Sequence, residues 1–135
     1  MTRLLLAVVA LAVGAVAFSS GAAAAERPDV GSAAGRAPAR LLVTADEWSL
    51  VLSRPRLRAG AAIVQLVNRG EDAHDLRLRR VDRTNRYVGR ALRVGEARPG
   101  ALGEADVRLA RGAWRLWCSL PGHRQLGMYA RLRAY

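Results

Sequence analysis

From residue 40 to the C-terminus the chain falls into short apolar-rich runs, and in LRLRRV (76–81) and GAWRLWCSL (112–120) polar and apolar residues follow a period of two, the repeat of a strand with one buried face. The runs RLLVTA (40–45), EWSLVLS (47–53), AAIVQLVN (61–68) and HDLRLRRV (74–81) are short and β-prone. Breaks at RPRLRAG (54–60) and NRGEDA (68–73) separate them. In LRLRRV, Leu76 and Leu78 fall on one face and arginines on the other. Residues 82–103 carry no readable period, and only the Pro99-Gly100 turn is marked there. EADVRLA (104–110), AWRLWCSL (113–120) and MYARLRAY (128–135) resume the pattern, parted by turns at Arg111-Gly112 and Pro121-Gly122. No helical period appears in this region. About seven short strands with frequent turns predict one all-β domain over residues 40–135, an antiparallel β-sandwich.

The N-terminal pattern is different. A basic start, MTR, precedes the apolar run Leu4 to Phe18, and small residues follow as far as Ala25. This is the layout of a secretory signal peptide over residues 1–25, with Ala23-Ala24-Ala25 as an A-x-A cleavage site before Glu26. An uncleaved anchor is the alternative, since the apolar stretch reaches about 20 residues with the alanines included. No cysteine follows the run, which argues against a lipid anchor. Residues 26–39, ERPDVGSAAGRAPA, lack any period and read as a flexible linker. The chain is therefore expected outside the cytoplasm, periplasmic or extracellular, or held at a membrane if the first segment stays.

Export makes the cysteine count informative. A single cysteine cannot form an internal disulfide, so Cys118 is a free thiol, an intermolecular bridge or a metal ligand. The formal net charge is +11, and all 22 basic residues are arginine. Such a field favours acidic partners and anionic surfaces. Nucleic acid is not expected, because the arginines are scattered, no nucleic-acid motif occurs and the compartment is wrong. The same composition also follows from a GC-rich genome.

The chemistry concentrates in WCSLPGHRQLGM (117–128), which holds the one cysteine, one of two histidines and the one methionine besides Met1. Period two places Trp114, Leu116 and Cys118 on the inward face, and Ala113, Arg115 and Trp117 on the wetter one. Pro121-Gly122 ends the strand and turns the chain. The five peptide steps from Cys118 to His123 reach roughly 16–18 Å when extended, enough slack to fold back. His74 opens the strand 74–81, and strand ends gather at the poles of a sandwich. His74, Cys118, His123 and Met128 can thus meet at one pole. Two imidazoles and a thiolate in a plane, with a weak axial thioether, are the donor set of a blue-copper centre. Zinc is a rival metal, although its structural sites recruit more thiolates and seldom a thioether.

On these residues the chain resembles a small cupredoxin of the plastocyanin/azurin type. SRPRLRAGAAIVQLVNRGEDAHDL is similar to the segment leading to the family's first ligand histidine, and LARGAWRLWCSLPGHRQLGM to its ligand loop. The resemblance implies a Greek-key β-sandwich with one type 1 copper held by His74, Cys118, His123 and an axial Met128. It implies a monomeric protein, not an enzyme, that shuttles single electrons between redox partners, here ones with an acidic docking surface. An extracytoplasmic copper carrier or storage protein is the alternative. Where the family often has Asn after the first histidine, this chain has Asp75, which accepts hydrogen bonds but does not donate them. Trp117 stands where the family often carries an exposed aromatic that serves as a second electron port. A multicopper oxidase centre needs many more histidines than the two present, and a binuclear purple centre needs two cysteines.

Overall fold

The computed structural model describes residues 36–135. The signal segment (1–25) and all but the last four residues of the linker (26–39) lie outside the described residues. The described residues form nine strands: β1 (Ala39–Asp46), β2 (Ser49–Leu52), β3 (Arg56–Leu57), β4 (Gly60–Asn68), β5 (His74–Val81), β6 (Tyr87–Ala97), β7 (Leu102–Leu109), β8 (Gly112–Trp117) and β9 (Tyr129–Ala134). One helical turn, α1 (His123–Leu126), interrupts the segment between β8 and β9 that the sequence marks only as a loop. Strands β2-β1-β4-β7 form one sheet and β3-β9-β8-β5-β6 the other. Among the described residues no helix is long and apolar enough to cross a membrane.

The expected all-β sandwich is present, but not every pair is antiparallel. After β2 the chain crosses to the second sheet at β3 and re-enters the first beside β1, so β4 runs parallel to β1. The two-residue β3 likewise runs parallel to β9. Strand β6 occupies the stretch with no readable period. It is an edge strand with little buried besides Val94 and Ala97, and its pairing with β5 is broken by two irregularities. One buried face per strand is the pattern that period two demands elsewhere. Leu41, Val43, Val64 and Leu66 of the first sheet pack with Leu76, Leu78, Trp114, Leu116 and Leu132 of the second. Each such leucine contributes about 1.5–3 kcal/mol on burial, so this core holds the strand ends in fixed places.

Three registers then position the site. Strands β8 and β9 pair up to Trp117 opposite Tyr129, which makes Cys118 and Met128 the next facing residues. The Cys118 N–H donates to the Met128 carbonyl at 3.1 Å. Strands β5 and β8 pair Arg77 with Trp117, so Asp75 lies opposite Ser119 and His74 at the same pole as Cys118. The parallel register of β1 and β4 pairs Ala45 with Asn68, and its continuation sets Glu47 against Gly70. That last juxtaposition joins the β1–β2 turn to the loop before His74.

Candidate metal centre

His74, Cys118 and His123 come together at one pole, as the sequence predicts, with one donor atom from each all within 4.8 Å of one another. The two Nδ1 atoms are 3.2 Å apart, and the Cys118 sulfur is 3.6 Å from the Nδ1 of His123. His74 and Cys118 are fully buried, whereas His123 is partly exposed. Burial pushes the Cys118 thiol above its ordinary pKa, with the nearby Asp75 carboxylate acting in the same direction. A nearby cation would favour the thiolate. A metal ion supplies that charge and displaces the proton.

The ligand loop is tied internally. Met128 is fully buried, and its N–H donates to the His123 carbonyl at 3.1 Å, closing the loop on itself. Gly127 has φ 131°, outside the range that side chains favour, and a Cβ there would lie 2.7 Å from the Trp48 carbonyl oxygen. Glycine lets the loop lie directly against the β1–β2 turn. From that turn the Trp48 ring meets His123 edge-on at 4.8 Å between centroids and His74 at 6.5 Å. The indole thus screens both imidazoles from water.

Glu47 is a site residue that the sequence pattern does not single out. One of its carboxylate oxygens accepts from the His74 Nε2–H at 2.8 Å and from the Asp72 N–H at 2.9 Å. The other accepts from the Glu71 N–H at 2.9 Å. The Asp72 and Glu71 N–H groups, aided by His74, lower the Glu47 pKa to about 2. The ionised carboxylate fixes the His74 tautomer with hydrogen on Nε2, which leaves the Nδ1 lone pair facing Cys118 and His123. Gly70 makes room for it, since a Cβ at that position would lie 2.2 Å from a Glu47 oxygen. The fully buried Asn68 braces the same loop. Its side-chain amide donates to the Asp72 and Ala97 carbonyls, and its side-chain oxygen accepts from the Gly70 N–H. Replacing Glu47 by Gln keeps the shape but removes the charge that orients and polarises His74. Metal affinity is expected to fall about 10–100-fold, measured by competition with a chelator. Unchanged affinity would show that the carboxylate only braces the loop.

Asp75 ties the first histidine's strand to the cysteine loop by accepting rather than donating. One oxygen takes the Ser119 N–H at 2.5 Å, and the other takes the Ser119 hydroxyl and the Arg77 Nε–H. Trp117, on the outward face, stacks against Tyr87 at 5.5 Å and carries the Arg124 guanidinium at 5.2 Å.

No family model and no curated protein matches the sequence. Solved structures do match in shape. Auracyanin B superposes with a TM-score of 0.58 at 19% identity, over 74% of this chain and 91% of that one. Auracyanin A, a "blue" copper protein from the green thermophilic photosynthetic bacterium Chloroflexus aurantiacus, superposes with a TM-score of 0.57 at 15% identity, over 73% of this chain and all of that one. A multicopper oxidase superposes with a TM-score of 0.52 at 12% identity, over 75% of this chain but only 46% of that one. With two mixed sheets and a His-Cys-His cluster at one pole, the chain has the cupredoxin fold.

Proposed function

We propose that this protein is an exported type 1 copper protein that carries single electrons between redox partners. The observation that carries this reading is the convergence of His74 Nδ1, Cys118 Sγ and His123 Nδ1 within a cupredoxin sandwich. The donor set fits copper: a soft thiolate suits Cu(I), and imidazoles suit Cu(II) as well. Met128, next to face Cys118 by strand register and fully buried, would offer a bound copper a weak thioether donor. Copper bound there provides a one-electron couple. The protein's part is to hold the donors still. Backbone hydrogen bonds tie Cys118, His123 and Met128 to one another, and Glu47 holds His74, so the donors would stay in place whichever oxidation state a bound copper took. Full burial of His74 and Cys118 opposes rapid exchange of the metal. That favours an electron carrier over a protein whose metal is cargo. The auracyanin A likeness supports the same reading at the level of fold.

Met128→Gln tests the axial assignment. An amide oxygen is a harder ligand than a thioether and stabilises Cu(II) over Cu(I). The variant should bind copper and show a lower reduction potential by voltammetry, by about 59 mV for each tenfold shift between the two affinities. An unchanged potential would remove Met128 from the ligand set.

We place electron entry at the partly exposed His123, with exposed Leu126 and Pro121 beside it for close approach. The partner in this reading is an acidic redox protein, drawn by the arginine field. The screening length falls from about 30 Å at 0.01 M salt to about 8 Å at 0.15 M. The stopped-flow electron-transfer rate with an acidic partner should therefore fall across that range. A rate that is flat or rises with salt would contradict attraction by the basic surface.

A further inference from the structure

The outer face of the β3-β9-β8-β5-β6 sheet carries a feature that metal binding does not require. Arg79 of β5 pairs across to Arg115 of β8, which pairs across to Arg131 of β9. Three arginines thus stand in one row, at the strand spacing of about 4.8 Å. Like charges directly opposite on adjacent strands cost stability. Among the described residues the one arginine paired with a carboxylate is Arg77, with Asp75, so no carboxylate neutralises this row.

Arg79 and Arg115 of this row, and Arg124 beside it, are nevertheless held in place by neutral partners. Arg79 donates to the Gly89 carbonyl at 2.8 Å and lies over the Tyr87 ring. Arg115 donates to the Asn85 side-chain oxygen. Arg124 donates to the Tyr87 hydroxyl at 2.8 Å and rests on both Tyr87 and Trp117. Each guanidinium has five donors, so most remain available. Between Arg115, Arg124 and Arg131 opens a cavity of about 620 Å³ bordered by Tyr87 and Tyr129. Ordering these side chains in advance lowers the entropic cost of binding.

We propose that this flank docks an acidic surface of a partner protein. Charge complementarity requires an anionic occupant. The row spans about 10 Å across three strands, more than one phosphate or carboxylate can bridge. Arg, Tyr and Trp are also the residue types that dominate protein–protein hot spots. This docking face lies on the flank of the sandwich, away from the pole, and needs no metal.

The test is an amide and indole chemical-shift titration of the full-length protein, labelled with nitrogen-15 and free of metal. The probes are a hexaglutamate peptide, inorganic pyrophosphate, and vesicles containing phosphatidylglycerol. The peptide is expected to shift the outward residues of β5, β8 and β9 together with the Trp117 indole. The double variant Arg115→Glu, Arg131→Glu should weaken it at least about tenfold, and Arg98→Glu, Arg108→Glu, with the same change in net charge, by less than about twofold. A dispersed spectrum of each variant confirms that it folds. Shifts spread over all arginines, or equal losses in both variants, would reduce the effect to net charge and overturn the proposal. Pyrophosphate binding as tight as the peptide's at this row would make it a small-anion site. Binding to vesicles without binding to the peptide would make it a lipid surface. Either result would also overturn the proposal. Loss of copper binding in a separate assay would refute the electron-carrier reading while leaving this one standing.

Discussion

Cys118→Ser is expected to abolish the intense visible absorption of the copper-loaded protein and leave the sandwich folded. The colour of such a centre comes from charge transfer between thiolate sulfur and Cu(II), and Cys118 is the chain's one sulfur able to act as a thiolate. Serine is nearly isosteric, but its hydroxyl is a hard donor that stays protonated. Cys118 is fully buried, so an unpartnered hydroxyl there costs about 1–3 kcal/mol. That lies within the stability of about 5–15 kcal/mol usual for a domain. The absorption spectrum reads the first effect and far-ultraviolet circular dichroism the second. A variant that keeps its colour would place the chromophore elsewhere. One that unfolds would show that the thiol is needed for packing.

Asp75→Ala is expected to be the most destabilising single change at the metal pole. Asp75 is 4% exposed and accepts from the Ser119 N–H, the Ser119 hydroxyl and Arg77. Hydrogen bonds to a charged group are worth about 1.5–3 kcal/mol each, and the three share one acceptor group. Truncation also strands the Ser119 N–H where Cys118 must be held. A loss of about 3 kcal/mol, roughly a hundredfold in the folding equilibrium, should appear in urea denaturation. Asp75→Asn retains one acceptor for the Ser119 N–H and gains a donor for its hydroxyl; it loses the acceptor of the Arg77 Nε–H, which still reaches the Ser119 hydroxyl oxygen, so the variant should lose about 1 kcal/mol, well short of the alanine change. A loss below about 1 kcal/mol for the alanine variant would mean that the two loops are held by other contacts.

The strands with one buried face were legible because burial imposes the period that the residues display. Leu76 and Leu78 point inward with arginines between them, and Trp114, Leu116 and Cys118 do the same. Strand β6 was not, because an exposed edge places almost no apolar demand on its sequence. The parallel pairing of β1 with β4 was also invisible, since it depends on the chain's route through the second sheet. His74, Cys118 and His123 stood out through rarity: they are all the histidines and the single cysteine of the chain. Glu47 had no such mark. It is one of 11 acidic residues and lies 27 positions before the histidine it orients. Only the β1–β4 register brings the two together, and with that register known, the facing pair of Glu47 and Gly70 would have been the signal. Asp75 was legible as a departure from the family pattern. Its role depends on Ser119, 44 positions on, which supplies two of its three donors.

In the proposed function this pole holds one copper through a thiolate and two imidazoles. The most direct measurement is the visible absorption and electron paramagnetic resonance of the protein loaded with Cu(II), with the metal content determined on the same sample. One copper per chain is expected, with an intense blue or green charge-transfer absorption that disappears on reduction and returns on reoxidation, and a resonance showing copper bound to sulfur. A colourless Cu(II) protein, or one that retains no copper after gel filtration, would contradict it.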